Sequence, residues 1–269
     1  MNSPTPTAAI QMTRNASDPE GNVSRALDLT RQAIARHHAR LIVLPEAVKA
    51  YRVAGRTDLA ETIPGPTVER FMELSADAQS VIVVGLIERE GERLYNSAAV
   101  LDRGRCVGVC RKTHLHTSDV TDDHEPNVFT PGDRLGLFDT SIGRVGVMIC
   151  HDGAYVEVPR VLVLEGADVL AWPMSSRRHG GFKERFYAET NLVPIVTANI
   201  CHGEGLGNSS IVDDAGEVLA LARQPNEVVS ASVDLEGLAT KRGKGVGREA
   251  VLRMRRPELY RRLLDPPRE

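Results

Sequence analysis

Residues 41–46 read Leu-Ile-Val-Leu-Pro-Glu: four consecutive aliphatic residues, a proline that stops them, and a carboxylate directly after it. An apolar run without alternating polar residues is typical of a strand that is buried on both faces. Residues 145–150, Val-Gly-Val-Met-Ile-Cys, repeat the pattern but end in a thiol. The sequence therefore predicts sheets covered on both faces, with reactive side chains at the ends of buried strands.

The segments around these strands indicate how the sheets are covered and connected. Helical spacing of apolar residues over Asn22–Arg36 and Thr67–Ala78 alternates with buried strands, whereas Glu90–Glu92 and Asp213–Gly216 predict hairpin turns. Crossovers and hairpins in one chain require both parallel and antiparallel strand pairs. We expect an α/β fold, a four-layer α-β-β-α sandwich of two mixed sheets with outer helices, as a single domain over residues 1–269.

Composition and charge exclude several classes of protein. The chain has 269 residues, with 33 Lys+Arg against 36 Asp+Glu and a net charge of −3, which argues against a nucleic-acid or anionic-membrane partner. No apolar run reaches the roughly 20 residues that span a bilayer, and the first residues lack the pattern of a secretory leader. Four cysteines are too few for a disulfide framework, so we expect free thiols and a cytoplasmic location.

Three chemically active side chains come directly after hydrophobic strands: Glu46, Lys112 and Cys150. The end of a strand is held by a rigid sheet and faces a crevice, which suits groups that must be placed accurately. Taken alone, Cys150 would be interpreted as a small buried hydrophobe. A thiol, a carboxylate and an ammonium together form a complete set for acyl transfer, as nucleophile, base and oxyanion stabiliser.

The segments that hold these residues resemble the signature segments of the nitrilase, or carbon–nitrogen hydrolase, superfamily. They are Leu44–Ala47, Arg111–Leu115 and Ile149–Gly153, in the order of that family. Glu125, shortly before a Pro-Gly-Asp sequence, stands where members carry a second glutamate. The resemblance covers about residue 8 to Asp234. It implies the α-β-β-α sandwich and a homodimer or larger homo-oligomer.

The resemblance also implies a mechanism that needs no metal or other cofactor. Cys150 would attack the carbonyl of a small-molecule amide while Glu46 takes its proton, and Lys112 and the backbone N–H of His151 would hold the oxyanion. Ammonia or an amine would leave, and Glu46 would activate the water that releases the acid from the thioester. Glu125 would orient Lys112 or hydrogen-bond the substrate. We further expect Lys112 to lower the pKa of the Cys150 thiol.

The signals for the substrate are mixed. Residues 150–153, Cys-His-Asp-Gly, resemble the aliphatic amidase and formamidase branch, which favours a small linear amide as substrate. Asn191–Pro194 is closer to the N-carbamoyl amine hydrolases, and that activity, or nitrile hydrolysis, is the alternative. No arginine cluster is apparent beside Cys150, and its absence argues against a doubly anionic substrate, although Arg177 and Arg178 lie in a loop that could reach the site. The candidate substrate contacts are Tyr51, His116, Trp172, Met174 and Ser175.

Two other hypotheses are weaker. His114-x-His116, with Asp122–His124 nearby, could hold a metal in a metal-dependent amidohydrolase. That class places such a pair near the N-terminus and this pair is mid-chain, so we interpret the histidines as loop residues at the pocket mouth and predict no metal. A non-catalytic binding member would have lost part of its reactive set, but this chain keeps Glu46, Lys112 and Cys150.

Two remaining features have structural interpretations. The C-terminal tail, about residues 240–269, contains an arginine-rich stretch that alternates with Leu and Glu, which predicts a solvated helix or an oligomer contact. Cys106, Cys110 and Cys201 lack a second pair at zinc spacing, so we predict that they are packing thiols.

Overall fold

The strand that precedes Glu46 lies near the middle of a six-stranded mixed sheet. In the computed structural model, which describes residues 4–51, 57–117, 124–176, 181–202, 207–235, 238 and 247–265, this strand pairs in parallel with a neighbour on each side. The outer pairs of the sheet are antiparallel. The strands in spatial order are β12 (Glu227–Val233), β1 (Thr5–Gln11), β2 (Leu41–Val43), β3 (Val81–Glu90), β4 (Arg93–Asp102) and β5 (Arg105–Arg111).

The strand that leads to Cys150 lies in a second six-stranded sheet of the same kind. Strand β8 (Val169–Met174) pairs in parallel with β7 (Gly143–Val147) and with β9 (Ile195–Asn199), and the other pairs are antiparallel. Strand β6 (Gly136–Thr140) was not predicted from sequence, because its short run lacks a regular alternation of apolar and polar residues. The strands in spatial order are β11 (Val218–Leu221), β10 (Ser210–Val212), β9 (Ile195–Asn199), β8 (Val169–Met174), β7 (Gly143–Val147) and β6 (Gly136–Thr140).

Helices cover the outer face of each sheet. The first sheet carries α1 (Pro19–His37) and α2 (Pro66–Ala78), whose apolar faces pack on it, and the second carries α3 (Glu157–Leu164) and α4 (Phe182–Asn191). The start of α1 follows ordinary capping chemistry, since the Asp18 side chain accepts from the N–H of Gly21 and a proline occupies the first turn.

The two sheets face each other across a core of small aliphatic residues. Val43 and Val83 of the first sheet belong to the same buried cluster as Val145, Val169 and Val196 of the second. This arrangement confirms the predicted α-β-β-α sandwich of two mixed sheets. Within the described part of the chain, no helix combines the length and apolarity needed to cross a membrane.

Candidate active site

Cys150 stands where the chain leaves the second sheet. Strand β7 ends at Val147, and a short 3-10 helix runs from Cys150 to Ala154. The backbone of Cys150 has a φ of 42°, in the left-handed region that residues with a Cβ rarely adopt. The thiol is therefore presented from a sharp turn and not from a continuation of the strand.

Asp152 and Gly153 hold this turn in place. The Asp152 carboxylate accepts from the backbone N–H of Ile149 at 2.9 Å, which closes the first turn of the 3-10 helix. Trp172 donates its indole N–H to the carbonyl of Cys150 at 3.1 Å. A Cβ on Gly153 would lie 2.0 Å from the Trp172 ring, so only glycine permits the indole to approach. The Asp-Gly part of the Cys-His-Asp-Gly sequence is thus explained by the geometry of the turn.

Lys112 lies between two carboxylates in a buried polar cluster. Its Nζ is 2.9 Å from Glu46 Oε1 and 2.9 Å from Glu125 Oε2. Asn96, in β4, donates its amide N–H groups to Glu46 Oε1 at 2.7 Å and to Glu125 Oε1 at 2.9 Å. The Lys112 and Glu46 side chains are each 1% exposed. The structure therefore brings Glu46, Lys112 and Glu125 into direct contact, although they are far apart in sequence.

The surroundings of Cys150 keep its thiol protonated. Burial and the charge of Glu46 raise the pKa of Cys150, Lys112 and a hydrogen bond with the Ser175 backbone oppose the increase, and the net result is a pKa of about 12. Lys112 lowers this pKa, as expected from sequence, but the net shift is upward. The reason is that the loss of hydration and the carboxylate outweigh the neighbouring ammonium.

The charges of Lys112 and Glu125 are fixed by their mutual contact. Burial by itself lowers the pKa of Lys112, but Glu46, Cys150 and Glu125 outweigh it, and the pKa lies well above the ordinary lysine value. Burial by itself raises the pKa of Glu125, but Lys112 and the backbone N–H of His116 outweigh it, and the net shift is downward. At neutral pH the cluster therefore contains an ammonium and an ionised Glu125.

Two predicted substrate contacts reach the cluster through Glu125. The Tyr51 hydroxyl donates to Glu125 Oε1 at 3.1 Å, and the backbone N–H of His116 donates to Glu125 Oε2 at 2.5 Å. The His116 ring meets the ring of His151 edge-on, with 5.1 Å between centroids. All three of these side chains are half-buried, so each is partly accessible to solvent beside the cluster.

The three predicted contacts at the end of β8 differ in exposure. Trp172 is 1% and Met174 is 6% exposed, so in the free protein neither presents an open surface. The Met174 carbonyl accepts from the backbone N–H of Glu46 at 3.3 Å, which ties the two sheets together at the cluster. Ser175 is half-buried, and its Oγ lies 3.2 Å from His202 Nε2.

Two residues of this site were missed from sequence. Asn96 lies inside a strand, where no sequence pattern distinguishes it from other polar residues. Arg14 donates from Nη1 to the carbonyls of Glu46 and Ala47 at 3.0 and 2.8 Å, and from Nη2 to Ser175 Oγ at 3.0 Å. Arg14 follows β1 shortly after its end, so the criterion that selected Glu46 would also have selected it.

The histidine-rich segment does not form a metal cluster in the part of the chain that the structure describes. The His114 ring stacks on Tyr155 at 3.9 Å, and its Nδ1 is 3.1 Å from Asp152 Oδ1. Asp122–Asp123 and Arg177–Arg178, which the sequence analysis considered, lie outside the described residues.

Comparison with known proteins agrees with this fold. The carbon–nitrogen hydrolase family model matches residues 7–242. The chain is 32% identical to the omega-amidase NIT2 of Bos taurus, over 86% of this chain and 89% of that protein. It is 35% identical to a nitrilase of Pyrococcus abyssi, over 94% and 98% of the two chains. The crystal structure of a carbon–nitrogen hydrolase from Helicobacter pylori G27 superposes with a TM-score of 0.84 at 26% identity, covering 97% and 98%.

These relatives support hydrolysis of a carbon–nitrogen bond, and their names differ in the kind of bond that is cleaved. The family match extends over most of the chain and includes the strands that carry Glu46, Lys112 and Cys150. The chain belongs to the carbon–nitrogen hydrolase family.

Proposed function

We propose that this protein hydrolyses the carbon–nitrogen bond of a small linear amide through a thioester on Cys150, giving a carboxylic acid and ammonia. The observation that carries the proposal is the buried contact of Lys112 Nζ with Glu46 Oε1, at 2.9 Å, close enough to Cys150 for both charges to act on its thiol. A nucleophile, a base and a cation meet there, as acyl transfer requires. Family membership and the amidase among the relatives support the reaction class.

In the first step Cys150 Sγ bonds to the carbonyl carbon while Glu46 accepts the thiol proton. A base is required because a thiol with a pKa of about 12 is almost entirely neutral at pH 7. Glu46 Oε1 is already occupied by Lys112 and Asn96. Its Oε2, which has no donor among the described residues, is left to take the proton.

The carbonyl oxygen becomes an anion in this step and needs hydrogen-bond donors. Lys112 supplies one from Nζ, since its raised pKa keeps it cationic. The backbone N–H of His151 supplies the second, and it has no acceptor among the residues that the structure describes. Preorganised donors of this kind contribute about 10²- to 10³-fold each to the rate.

The intermediate collapses when the carbon–nitrogen bond breaks and the leaving amine takes the proton from Glu46. The acyl group then remains on Cys150 as a thioester. Glu46 next accepts a proton from a water molecule that attacks the thioester carbonyl, and this proton returns to Sγ as the acid leaves. Amide and water are consumed, acid and ammonia are formed, and the free thiol is restored.

We assign Glu125 a positioning role in this mechanism. Its carboxylate receives hydrogen bonds from Tyr51, Asn96, Lys112 and the backbone of His116. Four donors fix the carboxylate, and the carboxylate in turn fixes the ammonium beside Glu46. A carboxylate held this way is poorly suited to accept a proton, which agrees with its lowered pKa.

An ammonia-release screen over small amides, N-carbamoyl amines and nitriles tests the proposal. We expect turnover of at least one linear amide, and loss of about 10⁴-fold or more in Cys150→Ala. Cys106→Ala is the matched control, because Cys106 is a partly buried thiol near the start of β5, at the opposite end of the strand from Lys112, and it should retain activity. Wild-type turnover by Cys150→Ala would refute the mechanism.

The same screen separates the alternatives. Turnover confined to N-carbamoyl amines would favour the activity that the Asn191–Pro194 segment indicates, and turnover confined to nitriles would favour a nitrilase. Activity that disappears with EDTA and returns with a divalent metal would instead support the metal-dependent hypothesis. Folded protein that releases no ammonia from any of the three classes would support a non-catalytic binding member.

We also propose that the protein is a homodimer or a larger homo-oligomer. Exposed apolar side chains lie on both outer helices of the second sheet and in the described part of the C-terminal tail, whose residues 240–246 and 266–269 lie outside the description. They include Val161, Leu164, Phe182, Phe186, Met254, Leu259, Leu263 and Leu264. Sedimentation equilibrium tests this proposal, and cell fractionation tests the predicted cytoplasmic location.

A further inference from the structure

Arg14 is a second cation beside the reactive thiol, and it differs from Lys112 in what it contacts. Lys112 meets two carboxylates, whereas Arg14 meets only the carbonyls of Glu46 and Ala47 and the hydroxyl of Ser175. Among the described residues, no carboxylate forms an ion pair with Arg14. Glu46 acts on the guanidinium only through space. Buried charges in proteins are normally paired directly, so the direct ion pair of Arg14 is left for a ligand to form.

The hydrogen bonds of Arg14 leave part of its guanidinium available. Both N–H groups of Nη1 are used by the two carbonyls, and one N–H of Nη2 is used by Ser175. Nε–H and the second N–H of Nη2 have no acceptor among the described residues. Nε and Nη2 form one edge of the planar group, and such an edge matches the two oxygens of a carboxylate.

The position of Arg14 is fixed and still reachable from solvent. Two carbonyls and a hydroxyl hold the guanidinium, and the ring of Tyr51 lies 5.4 Å from its carbon, so little side-chain freedom remains to be lost on binding. Burial lowers the pKa of Arg14, while Glu46, Tyr51 and Cys150 raise it, which puts all three within electrostatic range. The residue as a whole is half-buried, as are Tyr51 and Ser175.

We infer that Arg14 binds a carboxylate at the far end of the substrate, so that the substrates are amides that carry a second, anionic group. This inference rests on the proposed amide hydrolysis and names its substrate class. An amide with one distant carboxylate carries a single negative charge, so this inference is compatible with the expectation from sequence that a doubly anionic substrate is disfavoured. The arginine comes from the end of β1 and not from the neighbourhood of Cys150 in the sequence.

Matched pairs of amides test the inference: the monoamides of malonic, succinic and glutaric acid against the corresponding diamides. Each diamide has nearly the same shape but is neutral at the far end, and its two equivalent amides are corrected by a factor of two. We expect the wild-type kcat/KM to favour at least one monoamide by about 10- to 100-fold, the size of a charge-assisted hydrogen-bonded contact. The preference should weaken as salt is added.

The variant Arg14→Gln should reduce this preference by about tenfold or more, mainly through KM of the monoamide. Arg14→Lys keeps the positive charge but lacks the paired N–H donors of the guanidinium, so it should reduce the preference for the monoamide by a smaller factor. Arg25→Gln is the control, since Arg25 is a nearby half-buried arginine of α1 that contacts Thr13 and Asn22 and should leave the preference unchanged.

A purely structural role for Arg14, or a role in stabilising the thiolate, would lower the rates for both amides equally and leave their ratio unchanged; that result would overturn the inference. If Arg14→Gln does not fold, an unchanged ratio in Arg14→Lys does the same. A wild-type enzyme that hydrolyses diamides as well as monoamides also overturns it, while amide hydrolysis itself stands. Absence of ammonia from every amide would instead contradict the proposed function.

Discussion

Arg111 and Lys112 are neighbours at the end of β5, and each contacts two glutamates, but in very different surroundings. Arg111 forms a pair of hydrogen bonds with Glu88 and reaches Glu90 at 2.8 Å, with its side chain 27% exposed. Lys112 meets Glu46 and Glu125 with its side chain 1% exposed. Successive residues of an extended chain point in opposite directions, so one step along the chain separates a partly hydrated ion pair from a buried one.

The comparison indicates which ion pairs can be changed without loss of function. The Arg111 guanidinium is partly exposed and Glu90 is exposed, so water can replace part of these contacts, and they contribute modestly to stability even though the Glu88 side chain is only 7% exposed. A buried pair has given up its hydration, so removing one partner leaves the others as uncompensated charges. The first pair clamps β5 to β3. In the proposed mechanism, the second one holds the base, the cation and the positioned carboxylate beside the thiol.

The largest predicted difference between the two neighbours is in activity. Lys112→Met should lower kcat for a small amide by about 10³-fold or more, because it removes an oxyanion donor and leaves Glu46 without its cation. Arg111→Met removes a side chain of similar length one residue away and should keep activity within a few-fold of wild type. Steady-state ammonia release measures both, and equal losses would contradict the distinction.

The free energies of unfolding of the same two variants should differ less strongly than their activities. Lys112→Met leaves Glu46 and Glu125 buried without their ammonium, which should cost about 3–5 kcal/mol in the free energy of unfolding at pH 7. Arg111→Met should cost about 1–2 kcal/mol, because Glu88 retains a hydrogen bond from Ser97 at 2.6 Å. Urea denaturation followed by circular dichroism measures the two values. A Lys112 variant as stable as wild type would show that the cluster is not desolvated.

Glu184 provides a third case, a buried carboxyl in α4 whose pKa moves in the opposite direction to that of Glu125. Burial raises the pKa of Glu184 from 4.5 to about 7, and its own backbone N–H and Lys183 oppose this only in part. The folded state therefore binds more protons than the unfolded state between these values, and stability falls as pH rises from 4.5 through about 7.

Replacing Glu184 by Gln should remove that slope and stabilise the protein at pH 8 by up to about 3 kcal/mol, with little change at pH 4.5. For Glu125 the sign is reversed, since its lowered pKa gives stability above its unfolded-state pKa that is lost as the pH falls further. Urea titrations at several pH values measure both effects. A stability that rises between pH 5 and 7 in wild type but not in Glu184→Gln would contradict the assignment.

The last prediction concerns the pH dependence of thiol modification, which measures the reactivity of the free enzyme and not its turnover or stability. With a pKa of about 12, Cys150 should react with iodoacetamide at a rate that rises about tenfold per pH unit from pH 7 to 10 without a plateau. An ordinary exposed cysteine levels off above pH about 9. Peptide mass spectrometry follows the modification of Cys150 alone, and a plateau near neutrality would mean that the free enzyme holds a thiolate.

Much of the fold and the core of the site could be predicted because they depend on local sequence. Continuous aliphatic runs predicted buried strands, and a reactive residue directly after each run predicted where Glu46, Lys112 and Cys150 would lie. The α-β-β-α sandwich followed from the mixture of crossovers and hairpins. In each case the physical constraint acts on residues that are adjacent in the chain.

The remaining features depend on contacts between distant segments. Asn96 contacts Glu46 and Glu125 because β4 pairs with β5, the strand that leads to Lys112. No pattern in the sequence of β4 distinguishes Asn96 as a site residue. Arg14 reaches the site because β1 and β2 are parallel neighbours, so their ends coincide. The direction of the Cys150 pKa shift depends on how far the thiol is dehydrated, which the presence of Lys112 in the sequence could not reveal.

The central claim, that Cys150 carries the acyl group during turnover, can be measured by acid-quenched intact-protein mass spectrometry. Wild-type protein stopped during hydrolysis of a small amide should contain a species heavier by the mass of the acyl group, located on the peptide that contains Cys150. The species should be absent from Cys150→Ala, which should release no ammonia. Ammonia release by Cys150→Ala at the wild-type rate, or an acyl group located on another residue, would contradict the account.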